Sequence, residues 1–97
     1  MYLCLTTYLR PLTPGEPVLQ RHWDYLDACY RAGTLVCSGP QHSRTGGLLV
    51  IRASTATAAA EVMDGDPLVA EGRVTYELIG FTATRAHTPD LTETVPA

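Results

Sequence analysis

The spacing of apolar residues changes period several times along the chain, and each change marks an element. From Tyr2 to Leu9 the alternation puts Leu3, Leu5 and Leu9 on one side and Tyr2, Cys4, Thr6 and Tyr8 on the other. Both sides are apolar enough to predict a strand covered on two faces. Pro11, Pro14 and Gly15 end it. Between Glu16 and Ala32 the period becomes helical. Val18, His22, Tyr25, Leu26 and Cys29 recur at three- and four-residue spacings, with Asp24, Asp27 and Arg31 opposite. This spacing places His22 on the core side of the helix, and Gly33 is a natural C-terminal stop.

Leu35 to Ser38 reads as a short strand running into a Gly39-Pro40 turn, and Gln41 to Gly47 as a polar hairpin loop. Gly47 to Arg52 resumes as an apolar strand. Ser54 or Thr55 can cap a helix through Met63, where a run of alanines favours helix and close packing. Asp66-Pro67 opens a short helix to about Glu71, the carboxylate capping free N–H groups and the proline suiting the first turn. Arg73 to Thr84, rich in β-branched and aromatic residues, is the last predicted strand. The expected organisation is one domain over residues 1–85 and an extended or disordered tail over 86–97.

The order strand, helix, strand, strand, helix, strand predicts an α+β fold of the ferredoxin-like, split βαβ type. Its four-stranded antiparallel sheet would carry the helices on one face and leave the other bare. The two-sided first strand therefore predicts a homodimer with sheets face to face. A chain of 97 residues has one modest core, which makes dimerisation a natural additional source of stability.

Composition narrows the function classes. The chain is 45% hydrophobic and 18% charged, a globular balance. Its net charge is −3, with no lysine and seven scattered arginines, which argues against nucleic acid as a partner. The first residues lack the basic and apolar regions of a signal peptide, and no apolar run approaches the ~18 residues of a membrane span. Cys4, Cys29 and Cys37 show no metal-ligand spacing and read as reduced thiols of a cytoplasmic protein. No phosphate loop or dinucleotide fingerprint is present, so neither cofactor nor metal is expected.

The candidate chemistry rests on His22 and Asp66. A histidine titrating near neutrality, beside a carboxylate that orients it, is the minimum apparatus for proton transfer. The alternative for His22 is a buried neutral imidazole, and Asp66 has a structural role of its own as a helix cap. Ser38 is either a substrate-binding hydroxyl or a turn hydroxyl. Tyr8 and Tyr76 are candidates to bind substrate in a cleft, and Tyr25 could line it, with core or dimer packing as the alternative for all three. Arg10 or Arg73 could bind a carboxylate at a site mouth, with surface solvation the default. A serine hydrolase is disfavoured because no Gly-x-Ser-x-Gly elbow surrounds Ser38.

Arg21-His22 with Leu26, Gly33-Thr34-Leu35, Ser38-Gly39-Pro40, Gly46-Gly47, Glu61, and Asp66-Pro67-Leu68-Val69 with Gly72 together resemble the YciI-like (YCII-related) family. The resemblance runs from about Tyr2 to Phe81. It implies a dimeric α+β barrel of ferredoxin-like subunits and an active site at a His–Asp pair, here His22 and Asp66. It implies no common substrate: a few members are linked to lyase or dehydrohalogenase chemistry on small ring compounds. Two departures stand out. Leu68 replaces the usual aromatic after Asp-Pro, which can alter pocket size, and the tail after Arg85 is additional. The leading expectation is a cofactor-independent acid–base enzyme acting on a small, oxygenated, partly apolar molecule. The alternative is a non-catalytic dimeric module binding a metabolite or a protein, with the His–Asp pair structural.

Overall fold

The computed structural model describes residues 1–95. Four strands, β1 (Tyr2–Tyr8), β2 (Leu35–Pro40), β3 (Gly47–Ile51) and β4 (Val74–Gly80), form one sheet in the order β2-β3-β1-β4. All neighbouring pairs are antiparallel. Three helices join them: α1 (Pro17–Arg31), α2 (Ala56–Asp64) and the single turn α3 (Pro67–Ala70). The arrangement is α+β and ferredoxin-like. Among the described residues no helix is long and apolar enough to cross a membrane.

The helices cover one face of the sheet. Cys4, Leu49 and Ile51 from the strands meet Cys29 of α1 and Ala59 and Met63 of α2 in a core where Cys4, Ile51 and Ala59 are fully buried. The alanines of α2 permit this close approach to the sheet. A second, smaller cluster joins Val18 of α1, Leu68 of α3 and Val74 of β4. On the opposite face Leu3, Leu5, Leu48, Val50 and Ile79 follow the register of β1, β3 and β4, and none is fully buried.

Several boundaries differ from the sequence pattern, each for a reason of pairing or capping. β2 continues through Gly39 and Pro40, opposite Leu48 and Gly47, instead of turning there. It is an edge strand, where a proline costs no ladder bond on its solvent side. Between Leu35 and Cys37 the register shifts, so that Val36 forms a bulge. β4 stops at Gly80, not Thr84, because Gly80 pairs with Tyr2 and β1 offers no further partner beyond the Phe81 N–H to Met1 carbonyl bond. Thr55, not Ser54, caps α2, its hydroxyl accepting from the Ala58 N–H at 3.1 Å.

The hairpin between β2 and β3 fits tightly against β1. A Cβ on Gly46 would lie 1.7 Å from the Thr6 carbonyl oxygen, so no other residue fits without moving the backbone. Next to it the Gly47 N–H donates to the Thr6 hydroxyl at 2.8 Å. The tail returns to the sheet edge. After a 3₁₀ turn at Pro89–Leu91, the Glu93 N–H donates to the Ala83 carbonyl, and the Glu93 carboxylate accepts from the Ala83 N–H. The same carboxylate accepts from the Met1 ammonium at 2.9 and 3.0 Å. The expected tail extends to Ala97, and its residues 96 and 97 lie outside the described residues.

Candidate active site

His22 sits on the second turn of α1, and Asp66 is the N-cap of α3. The C-terminal end of α2 is held against α1 by Tyr25, whose hydroxyl donates to the Val62 carbonyl at 2.6 Å. Gly65 passes so close to that phenol that a Cβ there would meet its oxygen at 2.5 Å. This contact, one turn of α1 beyond His22, delivers Asp66 to the imidazole.

The His22 Nδ1 lies 2.8 Å from each carboxylate oxygen of Asp66. Asp66 Oδ1 also accepts from the Leu68 N–H at 3.0 Å, so the carboxylate caps α3 and engages the ring at once. Asp66 is 2% exposed, and the His22 side chain 17%. An ionised carboxylate only accepts, which puts the ring hydrogen on Nδ1 and leaves Nε2 with a lone pair. That nitrogen has no hydrogen-bond partner among the described residues and is not sealed in.

His22 and Asp66 both border a cavity of about 380 Å³ between α1 and the sheet. Its walls are mainly apolar, with Leu12, Leu26, Leu68 and Val74 among them. The other ionisable groups near the carboxylate are held protonated. Burial pushes the Cys4 thiol up to about 12, with the Asp66 charge adding to the effect. Burial also raises the Tyr25 phenol to about 12, with smaller contributions from Cys29 and Asp66.

The remaining candidates divide. Tyr8 borders the cavity from β1 and is half-buried. Ser38 borders it from β2 and is a strand residue, not a turn hydroxyl, because β2 extends past it. Its Oγ lies 2.5 Å from the Tyr30 hydroxyl. Tyr76 does not border the cavity. Its hydroxyl donates to Asp64 at 2.7 Å, and burial, then this bond, push it up to about 12. β4 starts at the cavity floor with Val74, and two residues on, Tyr76 is already beside α2. Tyr25 packs into the core. Arg73 is committed to Glu16, with Nη1 2.7 Å from Oε1, and to the Pro11 carbonyl at 3.1 Å. Neither it nor Arg10 reaches the cavity.

Two cavity residues of α1 escaped the sequence pattern, Leu19 and Trp23. With Leu26 and Tyr30 they form a second helical row at i, i+4, i+7 and i+11, beside the one that enters the core. That row was a detectable signal, masked by the stronger core stripe.

The YCII-related domain family matches residues 1–82. A Bacillus subtilis protein, the uncharacterized YjpA, is 35% identical over 72 residues, covering 74% of this chain and 85% of that protein. Among solved structures, 5-chloro-2-hydroxyhydroquinone dehydrochlorinase (TftG) from Burkholderia phenoliruptrix, in complex with 2,5-dihydroxybenzoquinone, superposes with a TM-score of 0.57. It is 17% identical, and the match covers 84% of this chain and 94% of that one, a likeness of fold. With its family domain matched over most of its length and a relative 35% identical over 72 residues, this chain belongs to the YCII-related family.

Proposed function

We propose that the protein is a cofactor-independent acid–base enzyme of lyase, isomerase or dehydrohalogenase type, acting on a small, oxygenated, partly apolar molecule. One observation carries the reading: an imidazole fixed through Nδ1 by a buried carboxylate, with Nε2 free beside an apolar cavity. In the proposed step Nε2 takes a proton from a substrate carbon or hydroxyl, and Asp66 stabilises the imidazolium that forms. In an elimination the electron pair of the broken bond forms the new double bond as the leaving group departs with its own pair. In an isomerisation Nε2 returns the proton to a different atom. The structural likeness to a dehydrochlorinase agrees with this chemistry.

Tyr8 and Ser38 are the proposed polar contacts to substrate, since both border the cavity. His22→Asn is the decisive variant, because it keeps size and polarity and removes the base. On any verified substrate, turnover should fall by about 10²–10⁴-fold with the circular dichroism spectrum unchanged. Full turnover in that variant would leave the non-catalytic binding module as the better reading, with the pair tying α1 to α3.

The proposed assembly is a homodimer through the bare sheet face, where Leu48 is 37% and Ile79 50% exposed. Light scattering should give a mass near twice that of the 10.5 kDa chain. A cytoplasmic location is proposed from the unpaired thiols of Cys4, Cys29 and Cys37.

A further inference from the structure

Helix α1 carries two apolar rows with different fates. Val18 and Cys29 are buried in the two core clusters. Leu19 and Trp23 border the cavity instead, as does Leu26, which also packs against the larger core, and the next residue of that row, Tyr30, bonds Ser38 on β2. The helix is thus pinned to the sheet edge at one end of this row, and the rest of the row overhangs open space. Trp23 is 52% exposed at this overhang, though it is the chain's single tryptophan and its largest apolar side chain. No packing inside the described structure accounts for an indole held there.

The charges around the cavity point the same way. Asp66 contributes a negative charge, and no arginine borders the space among the described residues. Arg73 is turned to Glu16 and Arg21 to Glu71, both ion pairs lying outside the cavity lining. A carboxylate or phosphate entering beside Asp66 would find no cation to replace its lost hydration. An uncharged molecule meets no such penalty.

We infer that Trp23 is a specificity-determining residue whose indole stacks on the flat face of an uncharged, planar ligand in the cavity. The inference takes the cavity as the substrate site, as in the proposed function, and adds what the site selects. An indole offers a broad π-face and few internal rotations, so a flat partner gains more from it than a puckered one of similar volume. The absence of a nearby cation rejects anionic analogues of the same shape. If the neutral ligand loses a proton to Nε2, its new negative charge forms beside the imidazolium and is balanced where it arises.

Three matched probes separate shape from charge: 4-hydroxybenzamide (flat, neutral), 4-hydroxybenzoate (flat, anionic) and trans-4-hydroxycyclohexanecarboxamide (puckered, neutral). Each is titrated to about 10 mM, the range in which molecules this small bind. Binding is read on the indole N–H of Trp23, a unique resonance in the proton–nitrogen correlation spectrum. The flat amide should shift it saturably, and the other two should bind at least about 5-fold more weakly. Trp23→Leu, followed on the Gly47 amide at the cavity wall, should weaken the flat amide by about 2- to 10-fold, and Trp23→Phe should recover part of the loss. Equal binding of flat and puckered amides, preference for the carboxylate, or no saturable shift with the flat amide would each overturn the inference. So would an indole resonance that moves with protein concentration instead of ligand, which would assign Trp23 to a contact between copies. His22→Asn should retain the probe preference. Failure of the probes therefore counts against Trp23, whereas undiminished turnover in His22→Asn counts against the acid–base reading.

Discussion

The helix-covered face of the sheet has two ends that share the same elements and do opposite things. At one end β1 contributes Cys4 and α1 contributes Cys29 to a dry core with Ile51, Ala59 and Met63. At the other, β1 contributes Thr6 and Tyr8, and α1 contributes His22, to a cavity with a polar pair at its wall. Two or four residues along a strand, and two turns along a helix, separate packing from candidate chemistry. The difference lies in what α2 and α3 bring. The alanine-rich α2 closes on the sheet, whereas the single turn of α3 presents a carboxylate and leaves space beyond it. A small domain can thus confine its open volume to one end while the other holds the fold.

Substitutions at the two ends should separate stability from activity. At the dry end, Met63 is 1% exposed, and Met63→Ala should cost about 2–5 kcal/mol in urea unfolding, since the core cannot fully collapse on the gap. A loss below about 1 kcal/mol would show that this end is not the tighter one. At the seam, Asp66→Ala should cost about 0.5–2 kcal/mol through the lost cap of α3, with turnover lost as well. Asp66→Asn keeps a capping side chain, so most of the stability should remain while turnover falls. If both variants lose stability equally, the cap is not what Asp66 supplies.

The thiols give a finer reading of burial. Cys4 is pushed up to about 12 by burial, and Cys29 is also buried, whereas Cys37 lies exposed on the bare sheet face opposite Val50. In folded protein at pH 8 a disulfide reagent should label Cys37 alone. Protection of Cys37 that disappears on dilution would locate the dimer contact on that face.

The smallest effect belongs to the surface. The Arg73 hydrogen bond, with the Thr13 N–H, holds the Glu16 carboxyl down at about 2 against an ordinary 4.5. A carboxylate held down in the folded state favours folding above its unfolded value, and that contribution fades as pH falls from about 4.5 towards 2. Glu16→Gln should therefore lower stability slightly at neutral pH, flatten the acid limb within that window, and converge with the parent protein towards pH 2. High salt should shrink the difference. An identical acid limb in both proteins would mean that the pair contributes nothing in solution.

The sequence pattern was legible where one period dominated. The core row of α1 and the capping Asp66 both followed from spacing and side-chain chemistry, whereas the meeting of the two residues, 44 positions apart, was implied by the family resemblance. Endings were less legible, because they depend on partners. Nothing within residues 81–84 announces that β1 has no residue left to pair with them, and Gly39-Pro40 resembles a turn until the edge position of β2 is known. Tyr76 looked equivalent to Tyr8 on composition alone. Which end of the sheet each reaches is set by β1 and β4 running antiparallel, and the local sequence does not carry that. Trp23 was hidden for another reason: a half-exposed aromatic is an ordinary surface residue until a cavity is found beside it.

The bulge at Val36 has a consequence for comparing relatives of different length. Residues three apart on a regular strand face opposite ways, yet Leu35 enters the core and Ser38 borders the cavity on the same side. Val36 supplies the missing step. A relative lacking one residue here, with every other side chain retained, would form a regular strand in which the leucine, cysteine and serine keep their partners and their faces. An alignment drawn from that leucine without a gap at position 36 would set the relative's serine against Cys37, on the bare face, and miss that it borders the cavity.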